Sequence, residues 1–296
     1  MKKKSTIYIK FLTDSIKRLD VLLSEEQIIP RNQAIKIIEA GLVYLNNEIE
    51  TKKSRKIQTG DVVEIFEPEL SHQQDIIDIP IVYENESFLV INKPPTICCH
   101  KRSAGDLKYS VMDFAKKRWQ GNHDEAELHR YGIVHRIDKE TSGILIIAKN
   151  TIILAQLQDL FQTRMIRKKY IAFIEKGLTP KKGIITYNIM RDPLVPIQMT
   201  WSKHQGKTAE TLYEIIEQRK DFDIVECTPK TGRTHQIRVH MQSLGHPLIG
   251  DALYGKHSPL IDRHALHAAH ISFTLDNKEY QFDIPLPEDM KNISSL

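Results

Sequence analysis

The sequence predicts an α+β protein, with a mixed or antiparallel sheet in a large second module and a small α/β module in front of it. Three observations carry this. Strand-like runs adjoin one another as well as helices, which disfavours a regular βαβ repeat. The 296 residues amount to about two domains at roughly 100–200 residues each. Between residues 13–66 and 76–296, the stretch 67–75 is polar, proline-containing and aperiodic, and reads as a linker.

In the first module, Ile16, Leu19, Leu22 and Leu23 fall on one helical face, with Thr13 or Asp14 available as an N-cap. Pro30 suits the start of a second helix, which turns Ala34, Ile37 and Ile38 inward and ends at Gly41. Residues 42–45 and 62–66 read as strands, with turns at Asn46-Asn47 and Gly60-Asp61. Basic residues gather around the helix starts and the loop before the last strand: Arg18, Arg31, Lys36, Lys52, Lys53, Arg55 and Lys56. Such a cluster suits phosphate groups, although on charge alone a solvated face accounts for it equally well.

The second module opens with a hairpin of residues 79–83, a turn at 84–86, and residues 88–93 closed by Pro94-Pro95. Further strands are expected at 143–148, 170–174, 212–216 and 222–227. A helix from Thr151 to about Arg164 places Ile153, Leu154, Leu157, Leu160 and Phe161 on its apolar side.

Composition excludes several classes. Lys plus Arg number 42 against 38 Asp plus Glu, a formal net charge of +4, which by itself does not establish a polyanionic partner. Cys98, Cys99 and Cys227 have no C-x-x-C spacing, so neither a disulfide framework nor a zinc knuckle is implied. A reducing, cytoplasmic setting is the simpler reading. No apolar run approaches the ~18 residues of a membrane span. The basic start is interrupted by Lys10 and Asp14, unlike a signal peptide.

Two stretches concentrate chemistry. In residues 132–145, polar groups sit between two apolar strand-like runs, and Asp138 lies beside Arg136 and Lys139. Nearby positive charge favours an ionised carboxylate, the form a nucleophile needs. A turn stabilised by a surface ion pair is the plainer account. From Thr234 to His240, alternation predicts a strand, with His235, Ile237 and Val239 on one face and Thr234, Gln236, Arg238 and His240 on the other. Arg238 is expected to be partly buried, and a buried guanidinium needs an anionic partner, for which Asp138 is the candidate.

Other signals lead elsewhere. His264, His267 and His270 suggest metal ligation, but their i, i+3, i+6 spacing drifts around a helix and alternates faces on a strand, so no metal site is assigned. Gly206-Lys207-Thr208 has the form of a P-loop ending, yet Trp201 stands where that motif needs glycine. No G-x-S-x-G elbow occurs.

The motifs carry two resemblances. Residues 18–23, 31–34, 41–46 and 60–63, in that order, resemble the S-four-like RNA-binding module named after a small-subunit ribosomal protein. Residues 135–143 (His-Arg-Ile-Asp-Lys-Glu-Thr-Ser-Gly), Lys168-Lys169-Tyr170-Ile171-Ala172 and residues 232–240 (Gly-Arg-Thr-His-Gln-Ile-Arg-Val-His) resemble the three catalytic motifs of the RluA-type pseudouridine synthases. Residues 245–251 and His267-Ala268-Ala269 also fit. Ile137 stands where leucine is usual, and residues 187–205 fit the family poorly, which leaves RNA-site preference open.

The resemblance implies isomerisation of chosen uridines in RNA to pseudouridine, with no cofactor. Asp138 would be the nucleophile, at the sugar's anomeric carbon or at carbon six of uracil. Tyr170 would stack on the base and assist proton loss from carbon five, and Arg238 would hold Asp138 ionised and oriented. Arg136 would help fill the site vacated by a flipped base. His135 would make either a structural hydrogen bond or an RNA contact. The appended RNA-binding module favours large-subunit ribosomal RNA, free or in an assembly intermediate, over transfer RNA, and nothing demands a dimer. The alternative is a non-catalytic RNA-binding or ribosome-assembly factor that retains the fold.

Overall fold

The computed structural model describes residues 7–10, 16–25, 31–66, 77–101, 109–119 and 129–294. They fall into two compact units, Met1–Ile76 with His100–Tyr109, and Ile77–Cys99 with Ser110–Leu296. The stretch read as a linker lies outside the described residues.

The first unit contains β1 (Ile7–Lys10), β2 (Lys17–Arg18), α1 (Leu19–Glu25), α2 (Arg31–Glu39), β3 (Val43–Leu45), β4 (Glu48–Ile49), β5 (Lys56–Ile57) and β6 (Val62–Ile65). Its core is Leu19, Leu22 and Leu23 of α1 against Ala34, Ile37 and Ile38 of α2, closed by Val43, Ile57, Val63 and their neighbours. Four strands form a sheet in the order β1-β6-β3-β4, and β2 pairs separately with β5. Asn46 and Asn47 both have positive φ, as a two-residue hairpin turn between β3 and β4 requires.

One expectation is corrected here. Ile16 is exposed and precedes the helix, because Lys17 and Arg18 pair with β5 instead of continuing the helical face. The helix starts at Leu19, and its first free N–H groups are met by the carbonyls of Arg55 and Lys53. The proposed caps Thr13 and Asp14, and Pro30, lie outside the described residues.

The second unit contains β7 (Ile81–Glu84), β8 (Phe88–Lys93), α3 (Val111–Arg118), β9 (Ser142–Ala148), α4 (Thr151–Gln162), β10 (Arg167–Glu175), β11 (Lys182–Ile185), β12 (Asn188–Arg191), β13 (Met199–Ser202), β14 (Thr211–Gln218), β15 (Phe222–Pro229), α5 (Gln236–Ser243), β16 (Leu266–Leu275), β17 (Lys278–Asp283) and α6 (Glu288–Ser294). The main sheet runs β11-β14-β15-β10-β16-β9-β8-β7, with β17 also on β16. Neighbouring strands of this sheet are antiparallel except β16 with β9, where His267 faces Ser142 and Ala268 faces Gly143. The mixed-sheet α+β expectation therefore holds.

The packing follows the apolar runs. Residues 142–148 are buried throughout, as a central strand covered on both faces must be. Helix α4, capped by the Asn150 side chain accepting from Ile153 N–H at 2.9 Å, sets Ile153, Leu154 and Leu157 on that face. On the other half of the sheet, Ile237 and Met241 of α5 pack with Ala172, Val225 and Cys227.

The strand expected from Thr234 onward is instead the helix α5. Residues 236–241 are all buried, so their apolar pattern carries no period that separates helix from strand. The side chain of Gln236 decides the backbone: its Oε1 accepts from Thr231 Oγ1 (2.7 Å) and Arg233 N–H (3.0 Å), closing a loop that leads into the helix. His235 takes φ 56° at the N-cap. The consequence is functional, because residues i and i+3 of a helix share a face. His235 and Arg238, which a strand would have turned to opposite faces, line the same cleft.

Candidate active site

A cleft of about 610 Å³ opens in the second unit. The three motif segments meet there: Asp138, Tyr170 and Arg238 all line it, as do His135 and Arg136.

Asp138 sits on an irregular segment whose next four residues are each anchored. Thr141 N–H donates to the Asp138 carbonyl at 3.1 Å, which closes the turn. The buried Lys93 ammonium donates to the Lys139 carbonyl (2.9 Å), and also to those of Ile97 (2.8 Å) and Pro94 (2.9 Å). Arg263 donates to the Glu140 carbonyl at 2.9 Å and is itself held by Asp289 of α6 at 2.6 and 3.0 Å. Thr141 Oγ1 meets His264 Nε2 at 2.8 Å, and Ser142 Oγ meets His267 Nδ1 at 2.9 Å. Burial pulls Lys93 down to about 8 and His267 to about 4. His264 and His267 thus serve the turn, and His270, the third of the suspected ligands, faces Asp283 and Ser272.

Arg238 is nearly enclosed, and its principal partner is Asp251. Nε and Nη2 reach the two Asp251 oxygens at 2.7 and 2.8 Å, a bidentate pair. The remaining Nη1 faces Asp138 Oδ2 at 3.4 Å, and the guanidinium lies over the Tyr254 ring at 4.9 Å. Burial opposes charge on both members of the buried pair. Their mutual bonding outweighs it, raising Arg238 and lowering Asp251 from their ordinary values. The expected Asp138–Arg238 contact is present, but it is the longer of two.

Tyr170 stands on β10 at a bulge between Lys169 and Tyr170, which re-aims the strand where it meets β16. Burial, with Asp138 nearby, pushes its hydroxyl well above the ordinary phenol range. His135 acts locally, since its Nε2 accepts from Ile146 N–H at 3.1 Å and its ring stacks on Phe161 at 4.5 Å. Burial lowers His135 to about 3, which keeps the imidazole neutral as an acceptor requires. Arg136 is exposed at the cleft.

In the first unit, Arg18 and Arg31 both bind the buried Asp20 carboxylate, at 2.9 and 3.1 Å, while remaining about half exposed themselves. Lys53 pairs with Glu39 (2.9 Å) and Arg55 with Glu50 (3.5 Å), and Lys36 and Lys52 lie on the exposed surface.

Sequence reasoning missed Asp251, Lys93, Arg263 and Tyr254 as members of the site. Asp251 was within reach, since it ends the stretch 245–251. Lys93 gave one signal, a lysine closing the apolar run of a buried strand.

The fold and cleft define a protein that brings a carboxylate, a phenol and an enclosed guanidinium to one pocket, and comparison with known proteins gives the class. Residues 87–243 match the family model for RNA pseudouridylate synthase, and residues 17–63 match the S4 domain. A ribosomal large subunit pseudouridine synthase D of Buchnera aphidicola is 35% identical, covering 99% of this chain and 98% of the relative. An uncharacterized RNA pseudouridine synthase of Bacillus subtilis is 36% identical, over 93% and 92% of the two chains. Among solved structures, human RNA pseudouridylate synthase domain containing 1 superposes with a TM-score of 0.59 at 27% identity, covering 70% of this chain and 83% of that one. The chain belongs to the RNA pseudouridylate synthase family. It is an isomerase with an S4 domain on its N-terminal side.

Proposed function

We propose that the protein converts specific uridines of large-subunit ribosomal RNA to pseudouridine, with Asp138 as nucleophile, Arg238 as its orienting cation and Tyr170 against the base. The observation that carries this is the asymmetric bonding of Arg238. Asp251 fixes two of its nitrogens, which leaves Nη1 directed at the Asp138 carboxylate in the cleft. A preorganised cation of this kind holds a reacting group without reorganising during the reaction. The relative named for the large ribosomal subunit supports the choice of RNA.

The target uridine leaves its stack, at a cost of a few kcal/mol, to reach Asp138. Asp138 bonds either to the anomeric carbon as the glycosidic bond to N1 breaks, or to carbon six of uracil before that bond breaks. The base turns, carbon five bonds to the anomeric carbon, and the Asp138–carbon bond breaks to return the free carboxylate. Carbon five then gives up its proton to water and N1 takes one up, so the net change is an isomerisation. The raised Tyr170 hydroxyl keeps its own proton, so Tyr170 serves as a stacking surface and hydrogen-bond donor rather than a resting base. Arg136 supports the vacated stack and His135 braces the cleft wall. Residues 13–66 dock on structured RNA through Arg18, Arg31, Lys36, Lys52, Lys53 and Arg55. The enzyme acts in the cytoplasm as a monomer, on free RNA or an assembly intermediate.

The test is tritium release from RNA labelled at carbon five of uracil, comparing wild type with Asp138→Asn on large-subunit ribosomal RNA and bulk transfer RNA. Release by the wild type from the ribosomal pool, abolished in the variant with RNA affinity intact, is the expected result. Release from transfer RNA alone would overturn the substrate, and an active variant would overturn the nucleophile.

A further inference from the structure

The stretch 187–205, which fits the family motifs poorly, folds into the hairpin β12–β13 with an apolar tip. Leu194 is 88% exposed and Ile197 71%, with the half-exposed Val195 between them. Clustered large apolar side chains on a surface mark a contact site more often than isolated ones do.

The display is fixed in place. Asp192 Oδ1 accepts from Leu194 N–H (2.8 Å) and Val195 N–H (2.9 Å), Gln198 N–H donates to the Val195 carbonyl (2.8 Å), and Arg191 donates to the Pro196 carbonyl. The hairpin's root packs against neighbours of the cleft-lining residues. Ile189 is buried in one cluster with Val239, which follows Arg238 on α5. Met199 N–H donates to the Tyr254 hydroxyl at 2.8 Å, and that hydroxyl bonds the cleft-lining His235 at 2.7 Å. The charge is also one-sided. Arg191, Lys203 and Lys207 are exposed, and the only carboxylate in residues 187–207, Asp192, is occupied by the tip's own N–H groups.

We propose that this tip is a wedge for the bases of the substrate RNA: Leu194 and Ile197 enter beside bases flanking the target, and Arg191, Lys203 and Lys207 take neighbouring phosphates. Apolar side chains driven between base steps unstack them, which eases the flipping that the reaction needs. Cations along the hairpin, Arg191 beside the apolar tip and Lys203 and Lys207 toward the root, complement a polyanion better than a second copy of this basic chain. The proposal rests on the reading of RNA as substrate and names the element that discriminates among RNAs.

The experiment compares wild type, Leu194→Ser/Ile197→Ser, Lys203→Gln/Lys207→Gln and the control Ile216→Ser, whose exposed side chain lies elsewhere on β14. Each is assayed for tritium release from a large-subunit ribosomal RNA transcript and for filter binding of the same transcript across salt. The apolar variant is expected to lose about tenfold or more in kcat/KM, as loss of two buried apolar contacts implies, with its thermal melt and the salt slope of binding unchanged. The lysine variant is expected to flatten that slope, and the control to match wild type. Rates and affinities of the apolar variant within about twofold of wild type would overturn the wedge, since even one lost apolar contact exceeds that. So would unchanged RNA binding together with loss of a wild-type dimer in sedimentation, which would make the tip a protein contact. If the wild type released no tritium from this transcript, the substrate assignment would fail, and the filter-binding arm would still decide the wedge.

Discussion

Replacing Asp251 with Asn tests whether the enclosed guanidinium is the keystone of the site. The side chains of Asp251 and Arg238 are 1% and 7% exposed, and two bonds of 2.7 and 2.8 Å join them. Removing one member of such a pair costs about 3–5 kcal/mol, because the other charge stays buried. Asparagine keeps the volume and one acceptor oxygen, so the lower end, about 3 kcal/mol, applies. For a unit of this size that is a fall in Tm of about 6–12 °C. The pH dependence has a definite sign. Although burial alone would raise Asp251, bonding to Arg238 lowers it in the folded protein, so its contribution is complete above the ordinary carboxylate value and is lost as pH falls through the folded one. Differential scanning calorimetry should therefore show a wide gap between wild type and Asp251→Asn at neutral pH that narrows in acid. Well below the variant's Tm, kcat should fall because Nη1 no longer has a fixed aim at Asp138. A gap under about 2 °C, less than a 1 kcal/mol loss would give, or one that does not narrow, would refute the reasoning.

Two further substitutions probe the turn that carries Asp138. Lys93→Met keeps the length but takes the common donor from the buried Ile97 carbonyl and the part-buried carbonyls of Pro94 and Lys139, and should cost about 2–3 kcal/mol at pH 7, read from urea midpoints. Because burial lowers Lys93 to about 8, the folded chain binds fewer protons than the unfolded one between that pH and the ordinary lysine value. Wild-type stability should therefore rise relative to the variant across that window, and parallel curves would show that Lys93 does not titrate there. Gly143→Ala places a Cβ 2.4 Å from the Ala268 carbonyl oxygen at φ 123°, against backbone that cannot yield, and should destabilise by about 3 kcal/mol or more. Gly60→Ala, at φ 95° with nothing within 4 Å, should cost only about 1 kcal/mol in the same denaturation series.

Much of the fold is legible in the sequence, for reasons that differ by element. Strands such as residues 88–93 and 142–148 announce themselves because apolar runs bounded by turns have few other uses. Period reveals the two helices of the first unit but misplaces Ile16, since pairing of Lys17 with Ile57 overrides a helical pattern that local sequence alone suggests. Helix α5 reads as a strand because a fully buried short segment has no exposed face to betray its period. The three motif residues of the cleft are legible as residues, and the identity of Arg238's partner is only half legible. Both aspartates are candidates on chemistry, and only the path of residues 245–251 brings Asp251 to Nε and Nη2. Lys93, Arg263 and His264 act through backbone carbonyls and a hydroxyl of the turn, partners that no side-chain pattern encodes.

The position of β16 sets a timetable for the molecule. The segment carrying Asp138 leads into β9, Tyr170 stands on β10, and β16 is the strand seated between those two. During synthesis on the ribosome, the two halves of the sheet can each gather their hairpins, but each keeps an open edge until residues 266–275 emerge and insert. Closure of that gap joins strands far apart in the chain, the kind of long-range pairing that forms slowly. A growing chain thus has no finished cleft until residues 266–275 have emerged, and until then its exposed edges are where a chaperone, or aggregation, would first take hold.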